Sequence, residues 1–404
     1  MRIGIPKEIK PLEGRVALVP QAAADLVHAG HQVGIQSGAG EASGFSVEDY
    51  AGAGIQVLPS AADVYGQAQL ILKVKEPVGK ELELLRPDHL LFSFLHLAAL
   101  PELTQKLCEI GLTAIAFETV EEQHRLPILA PMSNIAGRIA IQAGTHYLHH
   151  PSGGKGLMLG GLPGTQRGKV VIIGAGNVGG NAAHLATGMG AEVVVFDRQP
   201  GKLDAMMAMG SNITALYPYR DALDEQVSRA DLLIGAVLIP GAKAPKIVSR
   251  EQVCSMQPGS VIVDIAVDQG GCIETTRPTT YDDPVYRECG VSHFCVTNIP
   301  SAVPRTVSLA LSASLLPYCQ CLAGDDWRED SILKSAINVE NGAVVHPALP
   351  CPALRHEQDH CHRGRRGRYP RQLRGAVPAP GVQGTNLCQP PRSASPEISP
   401  PHWK

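Results

Sequence analysis

From residue 1 to about 130, short apolar runs alternate with stretches of helical periodicity. Arg2-Ile3-Gly4-Ile5-Pro6 is followed by the amphipathic QAAADLVHAG, then HQVGIQSG, and later QLILKVKEP and LLFSFLH. That punctuation predicts βαβ units. A second series begins near Met132 with the helix-like NIAGRIAIQAGTHYL, the strand KVVIIGAG and the helix NVGGNAAHLATGMGA. The strands EVVVFDR, LLIGAVL and SVIVDIAV follow. Continuous Val- and Ile-rich runs separated by helices suit parallel sheets covered on both faces. The pattern predicts an α/β protein of two doubly wound domains. The segment VPRTVSLALSASLLPYCQCLA, near 303–323, reads as a long helix that returns the chain to the first domain and makes that domain discontinuous. Beyond Leu349 the hydrophobic period stops, and residues 351–404 hold nine prolines and predict no packed core.

Composition adds bounds to this pattern. At 404 residues and 44% hydrophobic, the chain is long enough for two domains with cores of ordinary size. Aromatics are scarce, at 4%, whereas glycines number 42, which suits tight strand-to-helix turns better than a stacking surface for nucleic acid. The net charge of −3 is unevenly spread: residues 351–404 carry nine Arg or Lys against three Asp or Glu, leaving 26 against 35 elsewhere. The acidic body argues against a specific nucleic-acid partner, and a basic, unstructured tail offers only salt-sensitive, nonspecific adhesion. The ten cysteines show neither a disulfide framework nor a zinc spacing, so reduced thiols are expected. His356, His360, Cys361 and His362 lie in the proline-rich tail without a folding pattern to preorganise them, and no metal site is expected. No signal-peptide pattern opens the chain, and the apolar run Leu90 to Leu100 is far shorter than the roughly 20 residues of a membrane span. A cytoplasmic protein is expected.

After the apolar run Val170 to Ile173 comes Gly174-Ala175-Gly176-Asn177-Val178-Gly179, opening the helix that follows. In that context the three glycines predict a tight turn, close approach of a pyrophosphate, and close packing of helix on strand. The helix start offers unpaired N–H groups to phosphate. Eighteen residues beyond Gly179, Asp197 ends the next strand, where a carboxylate accepts from both ribose hydroxyls. The second domain is therefore expected to be a Rossmann dinucleotide-binding fold, with NAD favoured over NADP despite the neighbouring Arg198.

Four charged side chains follow apolar runs: Arg15 after the first strand, Lys75 after Leu70 to Val74, His96 after Leu90 to Leu95, and Asp268 after Val261 to Val267. Ligands of parallel sheets bind beyond the carboxyl ends of strands, so the four are candidates for one cleft. Each also admits a plainer reading: surface cations, a hydrogen-bonded core histidine, a helix cap. Asp264, inside its strand, reads as a maker of structural hydrogen bonds. As a set they suit oxidation of an amino acid, which needs cations for a carboxylate and groups that exchange protons at the amine and with water. A histidine side chain ordinarily titrates near 6.5, and that residue type at position 96 suits proton exchange close to neutrality.

Over roughly residues 1–349 the sequence resembles the bacterial alanine dehydrogenases. The resemblance is carried by Ile5-Pro6-Lys7-Glu8, Glu13 with Arg15-Val16-Ala17, Lys73 to Pro77, Met132-Ser133 with Ala136-Gly137-Arg138, Gly235 to Pro245, and Val263 to Gly271. It implies reversible oxidative deamination of L-alanine to pyruvate and ammonia with NAD, in a homo-oligomer, usually a hexamer. It also implies that Arg15 and Lys75 bind substrate and that His96 and Asp268 transfer protons. Ser133, Asn177, Val178, Asp197, Lys202, Val237, Leu238, Ile265, Asp268, Arg277 and Asn298 fall on its cofactor-binding positions, beside Gly174, Gly176 and Gly179. The implied division is a catalytic domain of 1–129 and 307–349, an NAD-binding domain of 130–306, and a tail of 350–404.

Two departures stand out. Tyr217-Pro218-Tyr219 replaces a serine that touches the adenosine part of the cofactor in many relatives, which predicts a modest change in NAD affinity. The Arg- and Pro-rich tail replaces a short terminal helix. Competing readings are the hydride-transferring, nucleotide-binding subunit of a transhydrogenase, a dehydrogenase acting on saccharopine, and a non-catalytic NAD-sensing interaction protein. The set of Arg15, Lys75 and His96 favours an amino-acid substrate over the transhydrogenase subunit.

Overall fold

The computed structural model describes residues 1–237 and 244–349. The first predicted series forms β1 (Arg2–Ile5), β2 (Gln32–Gln36), β3 (Gln56–Leu58), β4 (Leu70–Leu72), β5 (Leu90–Ser93) and β6 (Thr113–Ala116). The second forms β7 (Lys169–Ile173), β8 (Glu192–Phe196), β9 (Ile213–Leu216), β10 (Leu232–Gly235), β11 (Val261–Asp264), β12 (Val285–Glu288) and β13 (Val291–Phe294). Two last strands are β14 (Ile337–Glu340) and β15 (Ala343–Val344).

The two sheets share a plan. The first runs β15-β14-β6-β5-β4-β1-β2-β3 and the second β12-β13-β11-β10-β7-β8-β9. Each contains six parallel strands whose chain order, read across the sheet, is 3-2-1-4-5-6, the doubly wound arrangement with a crevice where the order reverses. Antiparallel strands close one edge of each sheet: β14 on β6 with β15 beyond it, and β12 on β13. The protein is α/β, and its second sheet has the Rossmann order.

Two 19-residue helices join the halves. Ala130–Leu148 places Met132 in the apolar core of the first sheet, while Ala136, Ile139, Ala140, Ile141 and Leu148 belong to that of the second. Gly137 lets this helix cross Asn177–Gly188 closely, because a Cβ there would collide with the Val178 carbonyl. Pro304–Leu322 then returns, burying Val307, Leu311, Leu315, Cys319 and Leu322 in the first core. Its Ser308 and Ser312 hydroxyls accept the amides of Val16, at 3.0 Å, and Val19, at 2.9 Å. These bonds fix the segment after β1, which lies outside any strand and has no ladder partner of its own.

One expectation is corrected. Cys254 and Cys289 form a disulfide with Cα atoms 5.0 Å apart, joining the end of the helix Arg250–Cys254 to the turn between β12 and β13. Their separation of 35 residues carries no spacing signal, and only the packing of that turn brings them together. Cys319 and Cys321 lie on the returning helix as free thiols.

Gly137→Ala is expected to force the two helices apart and destabilise the fold by about 1–3 kcal/mol, the usual cost of an added methyl in a packed core. A urea midpoint unchanged from the parent would show that the crossing tolerates the methyl.

Candidate functional site

The glycine turn is built as its spacing predicts. Gly174 ends β7 with φ +104, and a Cβ there would lie 2.7 Å from the Ala236 carbonyl oxygen after β10. Gly179 packs so tightly on Gly174 that any side chain would strike its carbonyl. Gly176 behaves differently, since a Cβ there would meet nothing within 4 Å. Two glycines therefore serve packing, and the middle one fronts open space at the start of Asn177–Gly188, where a pyrophosphate fits against free helix N–H groups. Asp197, just past β8, accepts the amides of Ala175 at 2.8 Å and Gln199 at 2.9 Å, holding the turn. The Lys202 ammonium lies 4.0 Å from it. Asn177 and Val178 open the helix, and Ser133 lies in the first turns of the crossing helix that packs on it. The residues present fit a dinucleotide.

Val237 and Ile265 are half-buried beyond the ends of β10 and β11. Arg277 lies with its guanidinium 4.0 Å from the centre of the Tyr286 ring. Leu238 lies outside the described residues.

The four charged candidates come together, and three depart from their plainer readings. Arg15 is 3% exposed and forms a two-point ion pair with Glu13, through Nε and Nη2. Its Nη2 also donates to Asn298 Oδ1 at 3.0 Å, while Asn298 Nδ2 donates to Glu13 at 3.1 Å. Burial alone would raise the Glu13 carboxyl, but Arg15 and the Asn298 amide outweigh it and hold the group below its usual range. Asn298 has a left-handed φ of +57 and belongs to the segment after β13, so it ties the second sheet's loops to the Arg15 pair. Its amide also points to Asp268 Oδ2, at 3.5 Å.

Lys75 and His96 lie past β4 and β5. Lys75 is half-buried, and among the described residues no carboxylate pairs with its ammonium. Burial and the nearby Arg15 charge lower its pKa against the opposing pull of Glu76 and Glu13. His96 is partly exposed, with a left-handed φ of +50, and its ring stacks 6.0 Å from that of Phe94. It is not a core histidine. Asp268 is reached by solvent, yet desolvation raises its carboxyl, against the hydrogen bond from the Asn298 backbone amide and the charges of Lys75 and His96.

The strands stop earlier than their apolar runs. The sequence continues β4 to Lys75 and β11 to Val267, whereas the ladders end at Leu72 and Asp264. In each case a carboxylate takes over the backbone. Glu8 accepts the amides of Val74, at 2.6 Å, and Lys75, at 3.3 Å, while Lys73, 1% exposed, pairs with Glu8 and Glu81. Burial pushes the Glu8 carboxyl up even so. Asp264 accepts the amides of Ala266, Cys272 and Ile273 and the Thr276 hydroxyl, folding 265–276 into the turn that presents Asp268. Glu118, after β6, accepts the His96 amide at 2.6 Å and that of Leu95 at 3.2 Å. Glu8 and Glu13 occur in stretches that carry the family resemblance; Glu118 had no signal, because its partner amide lies 22 residues away.

A doubly wound sheet with a fitted phosphate turn, facing a cleft of two cations, a histidine and a carboxylate, defines a dinucleotide-binding α/β protein. Comparison with known proteins narrows the class. The chain belongs to the alanine dehydrogenase/PNT family: residues 4–136 match the N-terminal domain of that family and residues 140–347 its C-terminal domain. It is 48% identical over 358 residues to the alanine dehydrogenase of Methanococcus maripaludis, covering 86% of this chain and 95% of the relative. Among solved structures it resembles an L-alanine dehydrogenase with a TM-score of 0.84 and 48% identity, over 86% of this chain and 98% of that one. A transhydrogenase from Sinorhizobium meliloti is similar with a TM-score of 0.75 and 27% identity, over 86% of this chain and all of that one.

Removing the Glu13 carboxylate leaves the Arg15 charge buried without its partner. Glu13→Ala is expected to lose about 3–5 kcal/mol of stability near neutral pH. Because the Glu13 carboxyl titrates below its unfolded value, the deficit should shrink as pH falls through that lowered range. Chemical denaturation at neutral and acid pH tests both, and a loss independent of pH would assign the effect to packing instead.

Proposed function

We propose that this chain catalyses the reversible NAD-dependent oxidative deamination of L-alanine to pyruvate and ammonia. The observation that carries the reading is the meeting of Arg15, Lys75, His96 and Asp268 beyond the carboxyl ends of strands from both sheets, next to a turn that fits a dinucleotide. Identity of 48% to a curated alanine dehydrogenase, against 27% to the transhydrogenase, favours an amino acid over a second nucleotide as hydride donor. The catalytic side comprises residues 1–129 and 307–349, and the nucleotide side residues 130–306. By resemblance the enzyme is a cytoplasmic homo-hexamer; among the described residues no helix is long and apolar enough to cross a membrane.

The roles follow from the site's chemistry. Lys75, with no internal ion pair, meets the substrate carboxylate, and Arg15 supplies a second positive charge held rigid by Glu13. Bound nicotinamide supplies the acceptor for the hydride that leaves Cα. The ammonium of alanine must first lose a proton, so that its lone pair can form the C=N bond as the C–H bond breaks. Glu118 Oε1, 3.8 Å from His96 Nδ1, favours a proton there and leaves Nε2 as the atom that exchanges protons. Asp268, with its raised pKa, is the stronger base that a desolvated carboxylate becomes, and it draws a proton from the water that adds to the imine. Collapse of that adduct releases ammonia and pyruvate. Asp197 holds the adenosine ribose, and its charge disfavours a 2′-phosphate.

The first test is NADH formation at 340 nm with L-alanine, beside glycine, L-serine and NADP, and with pyruvate plus ammonia in reverse. Selective turnover with alanine and NAD is expected. His96→Ala should bind NADH as before and lose about 10²–10⁴-fold in turnover. A folded protein that binds NADH without any turnover would sink the reading.

The lowered Lys75 pKa gives a signed prediction. Only the ammonium binds a carboxylate, so the Kd of pyruvate on the NADH-loaded enzyme should rise with pH before an ordinary lysine, near 10.4, would lose its charge. Lys75→Arg should flatten that limb whatever its absolute affinity, since a guanidinium stays charged. A limb that survives in the variant belongs to another group.

A further inference from the structure

Tyr217 and Tyr219 are 44% and 68% exposed, and among the described residues they are the two exposed large aromatics in a chain with few aromatics at all. Tyrosine rings ordinarily bury their faces, so a surface pair needs a reason. Their place in the sheet supplies one. Phe196 of β8 and Leu216 of β9 are register partners, and the Asp197 amide donates to the Leu216 carbonyl at 3.2 Å. The next residues on each strand, Asp197 and Tyr217, are therefore neighbours about 5 Å apart at the carboxyl edge. The aromatic pair begins beside the carboxylate assigned to the ribose, on the edge strand away from the reaction cleft.

The pair is also preorganised. The Tyr219 amide donates to the Tyr217 carbonyl at 2.8 Å, closing a tight turn around Pro218. The Tyr219 carbonyl in turn accepts from Leu223 and starts the helix Arg220–Ser228. The rings are held 4.7 Å apart with their planes splayed by 47°. A flat base lying on one ring meets the edge of the other, the offset contact that aromatic quadrupoles favour.

We propose that Tyr217 and Tyr219 form a stacking platform for the adenine ring of the dinucleotide. This rests on the NAD-binding reading and deepens it by assigning the base to residues of this chain. A ribose held at Asp197 leaves its base at the sheet edge, where the exposed tyrosines follow β9. Stacking of a base on an aromatic side chain contributes about 1–3 kcal/mol, which is a fivefold to roughly hundredfold change in affinity. The hydroxyls remain in water and are dispensable to the contact.

The test is binding, read without turnover. The full-length protein and its Tyr217→Ala, Tyr219→Ala, Tyr217→Phe and Tyr219→Phe variants are titrated with NADH, with AMP, and with reduced nicotinamide mononucleotide, which lacks the adenosine. At least one alanine variant should weaken NADH and AMP together by about fivefold to a hundredfold. The mononucleotide affinity should stay put, and both phenylalanine variants should bind all three as the parent does. Circular dichroism guards against misfolding, and Tyr219 caps its helix through a backbone carbonyl that every variant keeps. Parental AMP and NADH affinities in both alanine variants would overturn the platform while leaving NAD binding in place. An altered sedimentation coefficient with unaltered nucleotide affinity would also overturn it, assigning the pair to a protein contact. A parent that binds neither NADH nor AMP would overturn the NAD reading itself, and this inference with it.

Discussion

The site depends on one recurring interaction: a carboxylate accepting the backbone amides that a parallel strand releases at its carboxyl end. A ladder that stops leaves N–H groups that must find an acceptor if they are buried. Glu8 provides it beyond β4 and orients Lys75. Glu118 does the same beyond β5 for His96, Asp264 at the end of β11 for the turn carrying Asp268, and Asp197 beyond β8 for the glycine turn. Glu13 accepts the Arg15 amide at 3.1 Å as well as its guanidinium. Each acid thus stabilises a strand end and sets the direction of a functional residue in one stroke. Charge-assisted hydrogen bonds are strong and directional, which suits them to holding a loop within the tolerance that proton and hydride transfer require.

The same acids set the electrostatics. With Glu13 committed to Arg15, and Glu8 and Glu81 committed to Lys73, no carboxylate among the described residues pairs with Lys75. Asp268 has its carboxyl raised by desolvation, and the opposing charges of Lys75 and His96 keep that shift from growing further. Asn298 joins the two halves through three contacts, to Glu13, Arg15 and Asp268. Asn298, in a left-handed conformation, thus links the Arg15–Glu13 pair to Asp268.

Both halves repeat the 3-2-1-4-5-6 order, so two crevices exist, one at β1 and β4 and the other at β7 and β10. Arg15 and Lys75 follow the first pair of strands, and the glycine turn follows β7. The repetition places the two cations after strands of one sheet and the glycine turn after a strand of the other. Asp268, after β11, is the residue by which the second half lies within electrostatic reach of Lys75 and His96. Gly137 and the serines of the returning helix keep the halves in register by close packing and by capturing the amides of Val16 and Val19.

The sequence by itself determined the α/β class, the central strands of both sheets, the phosphate turn and the identities of the charged residues. Those features are local: an apolar run, a glycine spacing and a strand-end position can be read within about twenty residues. The edges were not legible, because β12 to β15 are short, and β14 finds its antiparallel partner β6 in a distant segment of the chain. Nor could the apolar runs reveal where strands end, since β4 and β11 are cut short by carboxylates that pair through space. Tertiary structure alone decided that Arg15 is buried and spoken for, that Lys75 has no ion pair among the described residues, and that Cys254 meets Cys289. The physical reason is the same in each case. Propensity and hydrophobic period are written along the chain, whereas desolvation and charge pairing depend on neighbours that only folding supplies.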